Sequence, residues 1–160
     1  MVLKPLIEML SSPDRREVMG AITRIGKQGH PELAHELFPF LTHPDPDYRS
    51  LAIQSLGLFL QIPEAKSRAL AMWATNPDPD DEVREAALIA WFSYYRDSKD
   101  VEVMRVLLSI IRDKNIDKSF RGSAYLGLLR VSGFNLAEAP YDGRIQEAVI
   151  AKIAREHGLD

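Results

Sequence analysis

The chain contains no cysteine. Disulfides, thiol nucleophiles and thiolate metal ligands are thereby excluded together. No apolar run approaches the roughly 18 residues that a membrane-spanning helix needs. The opening stretch, Met1 to Leu10, is interrupted by Lys4, Pro5 and Glu8, so it reads as neither an anchor nor a signal peptide. Excess positive charge is also missing: 20 Lys and Arg face 23 Asp and Glu, for a formal net charge of -3 and a pI near 5.8. No global field gathers phosphate backbones, so nucleic acid is disfavoured as a partner, and the absence of cysteine fits the expected cytoplasmic location. The nine glycines are scattered, with no Gly-x-Gly-x-x-Gly or Walker pattern for phosphates and no Gly-x-Ser-x-Gly elbow for a nucleophilic serine.

What the chain does have is a repeat. Pro13 to Gly26 aligns without a gap on Pro44 to Gly57, matching at Pro, Asp, Ala, Ile and the closing Gly, 31 residues on. A third copy starts at Pro79, and a fourth runs from Asp117 through Arg121 and Ala124 to Leu128. Four columns emerge: Asp14, Asp45, Asp80 and Asp117; then Val18, Arg49, Arg84 and Arg121; then Ala21, Ala52, Ala87 and Ala124; then Ile25, Leu56, Trp91 and Leu128. The last two columns are four residues apart, with Ile22, Ile53, Leu88 and Tyr125 between them, which is the apolar stripe of a helix. Each Asp stands where a carboxylate can accept first-turn amide hydrogens, and so predicts a helix start.

A second series with helical spacing fills the intervals: Leu3 to Leu10, Pro31 to Leu41, Pro63 to Ala74, Val101 to Ile111 and Arg144 to Ala154. Helices are therefore expected in pairs, punctuated by Gly26 and Gly29, His43-Pro-Asp-Pro, Asn76-Pro-Asp-Pro and Asp113-Lys-Asn. Ser132 to Gly143 reads as a loop leading to a last, closing helix. No strand pattern competes. About 160 residues suffice for one continuous core, and residues 1–160 are read as a single domain.

Paired helices at this period, with Leu/Pro-rich first helices, an acidic turn and then Val-Arg-x-x-Ala-x-x-x-Leu, resemble the HEAT repeat. Asp80-Asp-Glu-Val-Arg-Glu-Ala-Ala carries the closest likeness, and Pro5 and Pro39 resemble the proline that kinks many first helices. The resemblance implies an all-α fold, a right-handed α-α superhelix (an α-solenoid) of about four and a half helix pairs. It implies that repeated Asp and Arg form a ladder between neighbouring units, here Asp45, Arg49, Asp80, Arg84, Asp117 and Arg121. It further implies that second helices line a concave groove, which puts Gln54, Glu85, Ile89 and Leu126 on that inner face. Relatives of this architecture include scaffolds, transport factors, bilin lyases and DNA glycosylases.

Chemistry finds little purchase elsewhere. His30 and His35 are five apart and His43 and His157 are isolated, so none forms the i, i+4 pair of a helical zinc site. The acidic run from Asn76 imitates a calcium loop, but Asp81 stands where the turn needs Gly and Ala87 where it needs a bidentate Glu. Trp91-Phe-Ser-Tyr-Tyr95 is the most distinctive stretch; five successive helical residues point in every direction, so Phe92 and Tyr95 join the candidate interface anchors. Charge is uneven: residues 59–100 are net acidic and residues 101–130 net basic. The expectation is a non-enzymatic module binding a protein partner, without cofactor, metal or membrane. A glycosylase or a bilin-lyase-like enzyme is the alternative.

Overall fold

Helices, and no strand, make up the regular structure of the described residues, 3–138 and 140–159, in the computed structural model. In chain order they are α1 (Leu3–Leu10), α2 (Arg15–Gln28), the short α3 (Ala34–Leu37), α4 (Pro46–Ile53), α5 (Pro63–Leu70), α6 (Asp81–Ser93), α7 (Val101–Arg112), α8 (Lys118–Ser132) and α9 (Glu147–His157). Met1 and Val2, which open the segment read as no signal peptide, lie outside the described residues. None of the described helices is long and apolar enough to cross a membrane.

The aspartate column starts the second helices. Asp14, Asp45, Asp80 and Asp117 immediately precede α2, α4, α6 and α8, and each side chain accepts a first-turn backbone N–H. Each cap satisfies a donor that the helix itself cannot and sets a negative charge at the positive helix end. α2 and α8 end at Gly29 and Gly133, whose φ of 75° and 71° only glycine adopts without strain. α4 and α5 instead widen into π-helical turns, Gln54–Phe59 and Ala71–Thr75.

The first helices are less regular than the periodicity suggests. Residues 31–41 do not form one helix: 3-10 turns at Pro31–Leu33 and Phe38–Thr42 bracket α3. Pro39 has no N–H to give and its ring excludes the preceding turn, so the α-helix stops before it. Pro5 sits in the first turn of α1, where a missing N–H breaks no helical bond. The closing helix starts at Glu147, three residues later than its apolar pattern suggests.

The chain forms two compact units, Met1–Tyr94 and Tyr95–Asp160. In the first, α1 packs on α2, α2 on α4, α4 on α6, and α5 on α6. Its core is the predicted stripe: Ala21, Ile22, Ile25, Ala52, Ile53, Leu56, Ala87 and Leu88 are fully buried. Burying each large aliphatic side chain contributes about 1.5–3 kcal/mol. In the second unit α7 packs on α8, burying Met104, Leu107 and Ile111 with Ala124 and Leu128. α9 buries Val149, Ile150 and Ile153.

Small residues bring the second helices of the first unit into near contact. A Cβ on Gly26 would lie 2.9 Å from the Cα of Ser55, and one on Gly57 would lie 2.8 Å from the Cβ of Ala90. Hydroxyls bridge both joints: Ser55 Oγ donates to the Ile22 carbonyl at 3.0 Å, and Ser93 Oγ shares its hydrogen between the Gly57 carbonyl at 3.1 Å and the Ala90 carbonyl of its own helix at 2.7 Å. Both serines are buried, so the bonds satisfy polar groups that water cannot reach.

Candidate functional site

Three of the residues read as groove-forming come together in the first unit. Gln54, Glu85 and Ile89 line one open depression of about 260 Å³ with Ser50, Leu58, Glu82 and Ala86. α4 with its π-helical extension supplies Ser50, Gln54 and Leu58 at intervals of four residues, one face of a helix. α6 supplies Glu82, Glu85, Ala86 and Ile89, spaced three and four apart. Gln54 Nε2 donates to Ser50 Oγ at 3.1 Å, so the polar side of the α4 wall is pre-ordered. Ile89 and Leu58 are half-buried and form the apolar part. The volume falls below the roughly 300–1,000 Å³ typical of sites that enclose a small molecule.

Leu58 and Glu82 escaped the sequence reading. Leu58 follows Gln54 by one turn, but it lies beyond Gly57, where the repeat alignment stops and the helix continues as a π turn. Glu82 precedes Glu85 by three residues, and its place in the acidic turn disguised it as a helix-start residue.

The other candidates stand elsewhere. Phe92 is fully buried in the core of α6 and has no surface to offer a partner; an aromatic stretch covers all directions of a helix, and its direction is inward. Trp91 is also buried, with its ring centroid 5.2 Å from that of Trp73. Tyr94, next to it, is half-buried and donates its hydroxyl to the Ile62 carbonyl at 2.6 Å. Burial, and then the charge of Glu64, pushes that phenol up to about 12. Tyr95 and Leu126 belong to the second unit and are half-buried; neither lines the depression.

The Asp and Arg columns make a different network from the simple ladder. Arg49 sends Nε and Nη2 to the Asp78 carboxylate, both at 2.8 Å, and Nη1 to the carbonyls of His43 and Pro44 at 2.8 and 2.9 Å. The residue that receives the fork is thus Asp78, two positions before the column residue Asp80, because the Asp80 carboxylate is engaged in capping α6 through the N–H groups of Glu82 and Val83. Burial opposes ionisation of Asp78, but the hydrogen bonds from Arg49 and from the Asp80 N–H outweigh it and hold the carboxyl below its ordinary range. Arg84 turns back on its own turn, to the Asp78 carbonyl at 2.8 Å and to Asp81. Asp45 caps α4 and also receives Arg15 from α2 at 3.0 Å. Arg15 thus takes the bridging role at the repeat whose Arg column holds Val18. In the second unit Asp117 caps α8, and Arg121 Nε donates to the Ile111 carbonyl at 2.8 Å, at the end of α7.

The histidines serve the loops. His43 Nδ1 accepts the Asp45 N–H at 3.0 Å and its ring lies edge-on to Tyr48, 4.4 Å between centroids. His30 contacts Glu32 and His35 contacts Glu36. Among the described residues no group of three His, Asp or Glu side chains is arranged to hold a metal ion.

Compared with known proteins, residues 3–91 match a family model described as HEAT repeats. No curated protein and no solved structure matches the chain.

Proposed function

Since the chain belongs to the HEAT-repeat family, whose repeats commonly mediate contacts between proteins, we propose that it is a non-enzymatic binding module whose α4–α6 depression receives a side chain of a protein partner. The observation that carries this reading is the convergence of Ser50, Gln54, Leu58, Glu82, Glu85, Ala86 and Ile89 on one open concavity with an apolar floor and a polar rim. That composition is how protein interfaces divide their work: apolar anchors supply affinity and polar groups around them supply orientation. Two glutamates on the rim repel phosphate, which argues against the glycosylase alternative. Residues 1–160 act in this reading as one repeat domain, with Leu126 and Tyr95 as additional contact candidates on the second unit.

The test is capture from the native host with the tagged wild-type chain and with Ile89→Asp, followed by mass spectrometry. Losing an apolar anchor of this kind costs about 2 kcal/mol, roughly 30-fold in affinity, so the partner should vanish from the Ile89→Asp eluate while the helical circular dichroism is retained. Gln54→Arg gives a second, fully polar disruption of the same wall. Equal recovery of the partner with both variants would remove the depression as the binding site.

A further inference from the structure

A second concavity of the first unit, of about 490 Å³, shares no residue with the α4–α6 depression. Unlike that depression, it is large enough to take up a small molecule. α5 and the turn that ends it supply Arg68, Ala71, Met72 and Asn76. Ala71 and Met72 follow Arg68 by three and four residues, so helical geometry puts the three on one face. That end of α5 is a π turn, a rare widening that recurs at functional sites. The turn before α4 contributes Leu41, His43 and Pro44, and the acidic turn before α6 contributes Pro77 and Pro79.

The charge of this cleft is opposite in sign to that of the chain, whose net is -3. Its charged side chains are Arg49, Arg68 and Asp78. Asp78 is consumed by the Arg49 fork and by the Asp80 N–H. His43 adds no charge while its Nδ1 accepts the Asp45 N–H. Arg68 is left over: it is exposed and makes no hydrogen bond or ion pair among the described residues. Glu64, the one acid of α5, is not among the lining residues, and its charge bears on the Tyr94 phenol.

Main-chain donors here are spent. The Asn76 and Asp78 N–H groups reach the Ala71 and Met72 carbonyls, both at 2.9 Å, and the prolines have none to give. The Arg68 guanidinium and the Asn76 side-chain amide remain to meet a ligand, beside apolar surface from Leu41, Met72 and the prolines.

We propose that this cleft binds an organic monocarboxylate, with its carboxylate on Arg68 and its apolar body on Leu41, Met72 and the prolines. A guanidinium presents two parallel N–H groups that match the two oxygens of a carboxylate. One unmatched cation balances one negative charge, whereas a phosphate dianion would carry a surplus charge beside Asp78. Met72 adapts its flexible thioether to the shape of the body. A free organic acid and the C-terminus of another protein both offer this group.

The experiment is an NMR titration of the full isotope-labelled chain with hexanoate and with a tetrapeptide ending in a free leucine carboxylate, each against its amide, and with monohexyl phosphate. Either acid should bind about 10-fold more tightly than its amide, shifting the Arg68, Met72 and Asn76 resonances and leaving that of Ile89 in place. Arg68→Gln changes an exposed residue, keeps the fold and should erase the advantage of the acid. Tighter binding of the peptide assigns the site to a protein terminus, and tighter binding of hexanoate assigns it to a free acid. Acid and amide bound alike, an advantage that survives Arg68→Gln, preference for the phosphate ester, or shifts confined to the α4–α6 surface would each overturn the proposal. So would the absence of binding by either acid at millimolar concentration.

Discussion

The two compact units solve the same problem, holding helix pairs together, with different devices. In the first, successive second helices meet at Gly26, Ser55, Gly57 and Ala90, so closely that hydroxyls bond to helix carbonyls across the joint. A forked Arg49–Asp78 pair and Arg15 with Asp45 add charge-assisted ties between repeats. The second unit is tied differently, with Lys152 of α9 paired to Glu138 in the loop after α8. α7 and α8 pack through large aliphatic side chains, and Arg121 ties only the end of its own pair. The repeated Gly ends at Gly57 and the acidic Pro-containing turn at Pro79, both inside the family match, which stops at residue 91. What identifies the repeat in sequence is thus the joint between layers rather than the helix pair itself.

Removing the tie that crosses repeats should be most damaging. Arg49 and Asp78 are both largely covered, with side-chain exposures of 12% and 8%, so Arg49→Ala leaves the Asp78 carboxylate with the Asp80 N–H but without its guanidinium partner, and strips the same donor from the His43 and Pro44 carbonyls. It should lower stability by about 2–3 kcal/mol in chemical denaturation, whereas Arg121→Ala, which frees one carbonyl, should cost about 1 kcal/mol. Equal losses would erase the distinction between the units.

Next in size comes a contrast of sign. Gly26→Ala inserts a methyl against the Ser55 backbone and should destabilise by about 2 kcal/mol. Gly122→Ala in α8 meets open space and should stabilise by up to about 1 kcal/mol, because Ala is the better helix former. A destabilising Gly122→Ala would reveal a close joint in the second unit after all.

The smallest effect is the one read through pH. Asp78 is held below the ordinary carboxylate range in the folded state, so its contribution is complete above the unfolded value near 3.8 and is lost as pH falls through the lower folded value. Melting temperature should drop between about pH 5 and 2 in the wild type and drop less in Asp78→Asn. Parallel curves for the two proteins would deny Asp78 that role.

Most of the architecture was legible because it rests on period and capping. An Asp before each second helix, an Ala two turns inside it and a large apolar residue one turn beyond are local signals, and all three appear where the pattern put them. Gln54, Glu85 and Ile89 were named through the resemblance, which sets second helices along a groove, and the three line one depression. Partner choice within the ionic network was not legible. Asp78 and Asp80 are two residues apart in the same acidic turn, and only the turn's path decides which one caps and which one bridges. Leu58 was hidden by the π-helical continuation of α4, and Phe92 by the fact that composition does not give a helix its rotation. The 3-10 turns around Pro39 likewise replaced a periodicity that a helix would have satisfied.

The Gly–Ser joints have an effect that reaches the α4–α6 surface. Sliding α4 along α2 by a single residue, about 1.5 Å, would pull the Ser55 hydroxyl off its carbonyl and drive a side chain into space that only a hydrogen fills. The helices thus rest in notches, like a gear that cannot slip a tooth. In the proposed binding role, the α4–α6 surface is a mould whose dimensions are already cast, with little freedom in this chain left to surrender on association.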